Sequence, residues 1–564
     1  MTAISSAASS PGNRWQLIAR GPIVTGERLP DGVDPAGLSR FGDDVWGLAP
    51  LSRRRNEPCR RINWATFPQM LREEFKWAGW ALLNLPIPEA LLDRPATARA
   101  ENPSIGTVAA VADNWRRYAT WLTGRGVISL SDLDMAMHED YAAHVAGLPM
   151  VNSTRIHALY AVSLLWGYAP HLPEGIGVPM PPWEADGLGQ FLPTEAGSNE
   201  NLTPPVHPAV MSPLLVWALR FVEDFATDIL AALAEHQRLK ASITHRHNPE
   251  AAERLHALLD DHARTGTPLP GERVKGRLSV AVSYLAAMTG ASLVQTGNAL
   301  RRRTRLSTTE AAPLDIPITG VLHGQPWRTH INYGEAPVLA MRLAAACLIV
   351  VSYLSGARPA EVLHLRVGCC PDPTDIGHGT IRYQLRGDTF KGARTGDGQP
   401  APDGVPHTWT VIPPVHAAVR VLEQLATTGV LFPLQPGWLR GVSPNHRHRP
   451  GSGQRRGRRV RRGDVITAKA ANNRIAEFIS WVNDYTDAND LPVEAIPADP
   501  DGPVVISRFR TIAWHIARLP GGLLATKIHL RHISVVTTEG YAKARVLHQT
   551  GKICAGRLLG AASE

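Results

Sequence analysis

Four residues that are far apart in the chain have side chains suited to cleaving and rejoining a phosphodiester. Arg510, His532 and Tyr541 follow one another at intervals of 22 and 9 residues, and Arg358 lies far upstream of them. An arginine binds two non-bridging phosphate oxygens at once through its planar guanidinium group. A tyrosine phenol supplies an oxygen nucleophile that can form a covalent intermediate. The set therefore predicts phosphodiester transfer in which side chains, and not a metal ion, stabilise the transition state.

Arg358 is expected to stand at the start of a helix. Leu339 to Leu354 is apolar almost all round, as a buried helix is, and Gly356 ends it. Pro359 suits the first turn of the next helix, and Glu361 lies in the same turn. The pattern predicts a rigid mount for Arg358 beside a helix N-terminus. The alternative is that Arg358 is an ordinary ion-pair partner of Glu361.

A β-hairpin is expected next in the chain. Thr380 to Arg386 alternates apolar and polar residues, and Thr408 to Ile412 is a second strand candidate. Between them lies Lys391, the only lysine between Lys275 and Lys469. The pattern predicts Lys391 on the hairpin, either as a catalytic group or as an exposed lysine without a catalytic role.

In type, order and spacing these residues resemble the tyrosine recombinases, the phage-integrase family. Distinct motifs cover about 335 to 550, a looser likeness covers 104 to 168, and the step from His532 to Tyr541 is the most specific signal. The family uses an arginine, a hairpin lysine, a His-x-x-Arg motif, a histidine or tryptophan, and the tyrosine. The resemblance implies the catalytic residues Arg358, Lys391, Arg510, His532 and Tyr541, with Glu361 in support.

One position departs from the family pattern. Ser507 occupies the place of the histidine in His-x-x-Arg. A serine is not a general acid or base near neutral pH as an imidazole is, although its hydroxyl can donate a hydrogen bond to a phosphate oxygen. The neighbouring Arg508 is a candidate for supplying the missing positive charge. We therefore expect Ser507 to act as a supporting residue in an active but slower enzyme.

The resemblance implies a DNA strand transferase that needs neither a metal ion nor ATP, and no cofactor. Tyr541 would attack the phosphorus and form a 3′-phosphotyrosyl bond. The two arginines would stabilise the negative charge of the transition state and lower the cost of ionising a phenol whose ordinary pKa is about 10. Lys391 would protonate the departing 5′ oxygen as general acid, and His532 would donate a hydrogen bond to the transferring phosphate.

The fold that the resemblance implies is mainly α with a small antiparallel β-sheet. It is a two-lobed DNA clamp, made of a helical, SAM-like core-binding domain and an α+β catalytic domain. The implied partner is double-stranded DNA, bound by a homotetramer on two duplexes. A directionality factor or a host DNA-bending protein would be the accessory partner. We expect the protein in the cytoplasm, associated with the nucleoid.

The 564 residues are too many for one hydrophobic core, so roughly two to four domains are expected. We assign 1–100 to an N-terminal region that is loosely ordered and then helical, with arginines suited to contact DNA or solvent. We assign 101–170 to the core-binding domain, 171–330 to a linker and a helical extension or insertion, and 331–564 to the catalytic domain. Apolar periodicity predicts helices over 59–93, 104–122, 132–147, 152–166, 213–239, 249–264 and 468–485.

An arginine-rich insertion lies inside the catalytic domain. Residues 440–462 are of low complexity and contain nine arginines. We expect a flexible basic loop on the DNA backbone, which adds affinity that depends on salt but not on sequence. The alternative is a disordered insertion without a role. The DNA-binding candidates are Arg455, Arg456, Arg458, Arg459, Arg461 and Arg462.

Composition agrees with a polyanionic partner but does not require one. The net charge is +9, and arginine supplies nearly all of the positive charge because only eight residues are lysine. This bias suits phosphate recognition, and a GC-rich genome produces it equally well. Five scattered cysteines fit neither a disulfide framework nor a zinc site. Met1 to Gly12 lacks the features of a signal peptide, and the apolar stretch Leu343 to Leu354 is too short to span a bilayer.

Two other functions stay open at this point. A catalytically silent, sequence-specific DNA-binding protein with the integrase fold is favoured by Ser507. A type IB topoisomerase or a telomere resolvase would share the nucleophile chemistry, although the spacing of His532 and Tyr541 fits integrases better.

Overall fold

A computed structural model of the chain describes residues 11–29, 33–51, 60–91, 103–193, 204–274, 276–303, 306–390, 393, 401, 404–439 and 465–509. These residues divide into two compact units. Unit 1 comes from Met1–Asn199 and Phe390–Val405, and unit 2 comes from Glu200–Thr389 and Pro406–Glu564. The described part is mainly helical with small, mostly antiparallel sheets, which agrees with the fold class expected from the sequence.

The helices predicted over 104–122 and 152–166 form the centre of unit 1. Ser104 starts α3 by accepting a hydrogen bond from the Thr107 backbone N–H (3.2 Å). Trp115 is fully buried, and its indole N–H donates to the Ala161 carbonyl on α5 (2.6 Å). The elements of unit 1 are α1 (Pro11–Arg20), β1 (Val45–Gly47), β2 (Arg61–Asn63), α2 (Arg72–Asn84), α3 (Ile105–Thr123), α4 (Met135–Gly147), α5 (Asn152–Tyr168), α6 (Pro182–Asp186) and α7 (Leu188–Phe191).

Of the described residues within the helix predicted over 59–93, only Arg72–Asn84 are α-helical. Arg61–Asn63 is strand β2, which pairs antiparallel with β1. Behind the strands, Trp46 and Trp64 pack edge to face with ring centroids 4.9 Å apart. Gly79 on α2 makes room for this pair, because a Cβ there would lie 2.8 Å from Trp64 Cη2. The partner strand is remote in sequence, so helical periodicity has no means of revealing it.

Two stretches whose composition predicts loose structure contribute to the core of unit 1. Ile23, Val24 and Trp46, inside the predicted N-terminal lead-in, are buried. Trp183, inside the predicted linker, is also buried, and its indole N–H donates to Ser163 Oγ (3.0 Å). Glycine and proline mark these stretches as irregular, but the large apolar residues between them still find partners in the core.

Helix α13 (Ala336–Leu354) is the central element of unit 2. It packs against α8 (Pro208–Glu223), α9 (Ala226–Ser242), α15 (Pro413–Leu425) and α16 (Ala468–Ala488). Its 19 residues have a mean hydropathy of 2.0, so among the described helices it alone has the length and composition of a membrane span. The apolar segment is therefore Ala336–Leu354, which is longer than the stretch from Leu343 to Leu354 that was judged from the sequence to be too short for a bilayer. Fourteen of its 19 residues are nevertheless buried among other residues of unit 2, as in the core helix of a globular protein.

The single helix predicted over 213–239 is two helices. The backbone N–H groups of Asp224 and Phe225 both donate to the Arg220 carbonyl, which ends α8 before α9 begins. The helices of unit 2 are α8 (Pro208–Glu223), α9 (Ala226–Ser242), α10 (Pro249–Thr265), α11 (Val282–Thr289), α12 (Leu293–Arg301), α13 (Ala336–Leu354), α14 (Pro359–Leu363), α15 (Pro413–Leu425) and α16 (Ala468–Ala488).

Both predicted hairpin strands are present in unit 2. They are hydrogen-bonded neighbours in a three-stranded sheet of order β10-β9-β8. A second sheet of order β4-β3-β5, which the sequence did not predict, combines an antiparallel hairpin with a parallel edge strand. The strands are β3 (Leu269–Val274), β4 (Arg277–Val280), β5 (Thr308–Thr309), β6 (Val321–Leu322), β7 (Gln325–Pro326), β8 (Thr374–Asp375), β9 (Ile381–Thr389) and β10 (Val405–Val411).

Candidate active site

Three of the predicted site residues are described by the structure: Arg358, Glu361 and Ser507. Most members of the predicted set lie outside the described residues, and their arrangement stays a prediction. These are Lys391, Arg510, His532, Tyr541, Arg455, Arg456, Arg458, Arg459, Arg461 and Arg462.

The mount predicted for Arg358 is present. Helix α13 ends at Leu354, and Gly356 has a φ of +72°, the left-handed conformation that glycine adopts without strain. Arg358 is extended and directly precedes α14, which begins with Pro359. The chain therefore leaves a buried helix, turns sharply, and starts a second helix within five residues, which leaves Arg358 little conformational freedom.

Glu361 fixes the position of Arg358 through hydrogen bonds. Its carboxylate accepts hydrogen bonds from the Arg358 backbone N–H (2.6 Å) and from Arg358 Nη1 (3.0 Å). Only 3% of the Glu361 side chain is exposed, whereas 24% of the Arg358 side chain is. A buried anion that grips both the main chain and the side chain of one residue fixes the direction of its guanidinium. Glu361 therefore orients the Arg358 guanidinium, and part of the Arg358 side chain remains exposed to solvent.

The strand that leads to Lys391 lies beside this mount. Strand β9 ends at Thr389 and packs against α14. The approach is close, because a Cβ on Gly387 would lie 3.2 Å from Leu365 Cδ2, just beyond α14. The helix that begins after Arg358 and the strand that precedes Lys391 are thus neighbours in the fold.

The segment that precedes Arg510 is fixed by Arg508. This guanidinium is only 4% exposed, and each of its five N–H donors has an acceptor, which is the full capacity of an arginine. Nε donates to the Pro204 carbonyl (3.0 Å), Nη1 to the carbonyls of Gly502 (2.9 Å) and Pro503 (3.0 Å), and Nη2 to the Pro205 carbonyl and Asp499 Oδ1 (2.9 Å each).

The suggestion that Arg508 supplies the charge missing at Ser507 is therefore wrong. Its donors are all occupied by groups of the protein, so none remains to bind a phosphate. Arg508 instead anchors the chain from 499 to 509 against residues 204 and 205. Ser507 itself is partly exposed and lies in a short 3₁₀ turn, Ile506–Arg508.

The same turn contacts the end of α13. The Phe509 ring packs edge to face against Tyr353, with ring centroids 6.2 Å apart. The Ile506 backbone N–H donates to Asn472 Oδ1 on α16 (3.0 Å), and α16 also packs against α14. Phe509 is the residue before Arg510, and Tyr353 is five residues before Arg358. Two motifs that are remote in sequence are thus brought to one end of one helix.

Asp499 is a structural neighbour of the predicted site that sequence reasoning missed. Burial acts to raise its pKa, but hydrogen bonds from the His207 backbone N–H (3.0 Å), from Arg508 and from the Asp501 backbone N–H outweigh burial and hold the pKa below its ordinary value. The only local signal was an aspartate in a polar loop, Ala498 to Asp501, which does not reveal a partner nine residues away. The ionised form of Asp499 keeps Arg508 in place.

This pKa shift predicts how unit 2 responds to acid. Because the pKa of Asp499 is lower when folded, its stabilisation is complete above the ordinary aspartate pKa of about 3.9 and is lost as the pH falls through the lowered value. We expect the stability of the wild type to fall below pH ~4 more steeply than that of Asp499→Asn, which starts lower but has no such proton to bind. Urea unfolding between pH 3 and 7 measures both slopes.

A matched control is available two residues away. Asp501 is exposed, so Asp501→Asn should keep the acid slope of the wild type. Parallel slopes for the wild type and Asp499→Asn would contradict the assignment.

Comparisons with known proteins do not identify the chain. No protein-family model matches it, and no curated protein matches it. The chain is similar to a solved structure described as the crystal structure of XerA recombinase, with 14% identity over 62% of this chain and 99% of that chain. The TM-score of that superposition is 0.18, which is too low to support an argument about the fold, so the functional conclusion rests on the residues themselves.

Proposed function

We propose that the chain is a site-specific DNA recombinase of the tyrosine class, which cuts and rejoins DNA through a covalent 3′-phosphotyrosine intermediate. One observation carries the proposal. The mount of Arg358 and the residue preceding Arg510 meet at the end of α13, where Phe509 packs on Tyr353. Two arginine motifs separated by about 150 residues are thereby held at the same end of one helix, which supports a joint role.

The transition state explains what the arginines do. A phosphodiester under in-line attack gains negative charge on its non-bridging oxygens. Arg358, oriented by the buried Glu361, is preorganised to bind that charge, so little reorganisation is needed as the reaction proceeds. Arg510 binds the second oxygen, and the Ser507 hydroxyl donates a further hydrogen bond.

The bonds and protons balance without a cofactor. Tyr541 Oη attacks the phosphorus while its proton passes to solvent water, and the bond from phosphorus to the 5′ oxygen breaks. Lys391 gives a proton to that leaving oxygen, while His532 donates a hydrogen bond to the phosphate. Attack by the 5′-hydroxyl of another duplex reverses these steps, releases Tyr541 and joins the strands, so the energy of the original bond is conserved.

The same proposal covers the partners. Units 1 and 2 would act as the two lobes of a clamp on double-stranded DNA, and four copies would hold two duplexes. The arginines of 440–462 would lie on the DNA backbone. A directionality factor or a DNA-bending protein would assist, and the reaction would take place in the cytoplasm on the nucleoid.

Mapping the covalent link tests the proposal. Duplexes that the full chain enriches from a random-sequence pool are prepared as suicide substrates, with a nick at each position of the enriched core in turn. We expect an adduct that survives denaturation, with the nucleotide on Tyr541 in the digested peptide. The absence of an adduct on every substrate, or a nucleotide on another residue, contradicts the proposal.

A catalytically silent DNA-binding protein is the second candidate. The observation that favours it is the pair Ser507 and Arg508, because a serine replaces the histidine of the motif and the neighbouring guanidinium is fully occupied within the protein. This function predicts tight binding to the enriched duplexes with no adduct on any of them.

A further inference from the structure

Helices α11 and α12 form a helix-turn-helix. Helix α11 has eight residues, α12 has nine, and the turn between them is Gly290-Ala291-Ser292. Gly290 has a φ of +74°, which lets the chain reverse without strain. Ser292 then caps α12, because its Oγ accepts from the Gln295 backbone N–H (3.2 Å) and Gln295 Oε1 accepts from the Ser292 backbone N–H (3.0 Å). A three-residue turn with glycine is the signature of this motif.

A third helix, α10, holds the pair together. Helix α10 packs against both α11 and α12, and Ala251 and Leu255 of α10 share a small core with Ala291 and Ala299. Polar contacts fix the register, because Arg254 Nε donates to the Thr289 carbonyl (3.0 Å) at the end of α11. The inner face of α12 is thus packed against α10, and α10, α11 and α12 form one three-helix group.

The other face of α12 is exposed and carries side chains suited to reading DNA. Leu293 and Val294 are 49% and 71% exposed, and Asn298 and Arg301 are exposed one and two turns further on. These positions share one face, because residues three or four apart in a helix are neighbours. The Arg301 side chain runs back along this face past Gly297, where a Cβ would lie 3.7 Å from Arg301 Nη2.

The positive charge at the end of α12 indicates that this face binds a polyanion. Arg301 and Arg302 are exposed, and within the described residues neither forms an ion pair. Arg303 differs, because it pairs with Asp260 on α10 (2.7 Å) and is thereby fixed to the group. Helix α12 contains no acidic residue. An exposed helix face that combines apolar, amide and arginine side chains matches the edges of base pairs better than an apolar protein groove.

We propose that Val282–Arg301 is a sequence-reading DNA module, with α12 as the recognition helix in a major groove. An α-helix with its side chains is about 10–12 Å in diameter, which fits a major groove about 12 Å wide. Asn298 is suited to adenine, Arg301 to guanine, and Val294 to the methyl group of thymine, while Arg302 binds phosphate. The module does not depend on strand transfer, since it binds duplex DNA whether or not Tyr541 is a nucleophile.

Selection with matched variants tests the module. The full chain, Asn298→Ala and Arg301→Ala each select duplexes from a random-sequence pool, and their affinities for the wild-type consensus are measured by gel shift. Arg264→Ala is the control, because Arg264 is 74% exposed at the end of α10 and its loss changes the charge equally. Circular dichroism and thermal unfolding verify that each variant is folded.

We expect Asn298→Ala and Arg301→Ala to bind the wild-type consensus about 5- to 150-fold more weakly and to enrich motifs relaxed at one position each. Arg302→Ala should weaken binding to all duplexes and lower the salt slope by about one. The Arg264→Ala control should keep the wild-type motif. An unchanged motif in both α12 variants, losses no larger than that of Arg264→Ala, or no enriched motif with the wild type overturns the proposal.

Discussion

Tyr541→Phe is expected to abolish the covalent protein–DNA adduct while it leaves the affinity for duplex DNA unchanged. The substitution removes one oxygen atom and keeps the ring, so packing and charge around the phosphate are conserved. The remaining groups stabilise a transition state that no longer has a nucleophile. Loss of the nucleophile of a serine protease lowers turnover by about 10⁶-fold, and a loss of that order here would bring the adduct below detection. Suicide substrates with gel shifts on the same duplex measure both quantities.

Tyr160→Phe is the matched control for this experiment. Tyr160 lies on α5 in unit 1 and is partly exposed, so removal of its hydroxyl tests whether losing any tyrosine oxygen has the same effect. The control should form the adduct at the rate of the wild type. Adduct formation by Tyr541→Phe would show that another residue attacks the DNA.

The mount of Arg358 could be predicted from the sequence because its signals are local. Gly356, Pro359 and Glu361 lie within six residues, and each has a specific conformational preference. The buried helix before them could be recognised from hydropathy alone. Local preference and tertiary packing agree at this point of the chain, so the prediction required no knowledge of distant contacts.

The role of Arg508 could not be predicted in this way. An arginine beside a catalytic motif suggests phosphate binding, and the residue type is the same for either role. The role is decided by the hydrogen-bond acceptors around the guanidinium. Two of them, the carbonyls of Pro204 and Pro205, are about 300 residues away in sequence and cannot be recognised locally. Strand β2 misled for the same reason, because its partner β1 lies outside any local window.

The helix-turn-helix was not predicted, although the sequence contains local signals for it. Gly290 follows an apolar run, and the spacing from Ser292 to Gln295 is that of a capping box. What the sequence lacks is the distinction between the buried and exposed faces of α12, which packing against α10 provides. Lys391, Arg510, His532, Tyr541 and the arginines of 440–462 remain predictions from the sequence, since the structure does not describe them.

Arg508→Ala is expected to destabilise unit 2 by about 3–5 kcal/mol, the cost of removing one partner of a buried ion pair. The variant leaves the Asp499 carboxylate buried without its cation, and four carbonyls lose their donor at the same time. Urea unfolding, with the transitions of the two units followed separately, measures the change. Arg238→Ala is the control, since the Arg238 side chain is 68% exposed and the loss of its ion pair with Glu235 should cost far less stability than the loss of Arg508.

The double variant Asp499→Asn/Arg508→Ala separates a direct interaction between the two residues from a general effect on packing. If the two residues stabilise the fold through each other, the double variant loses less stability than the sum of the single variants, because it no longer buries an unpaired charge. The proposed strand transfer links this stability to catalysis, since Phe509 and Arg510 follow directly. In the temperature range where Arg508→Ala is still folded, its adduct should therefore form more slowly than that of the wild type. Additive losses of stability, or a cost no larger than that of Arg238→Ala, would show that Arg508 is not the anchor of this segment.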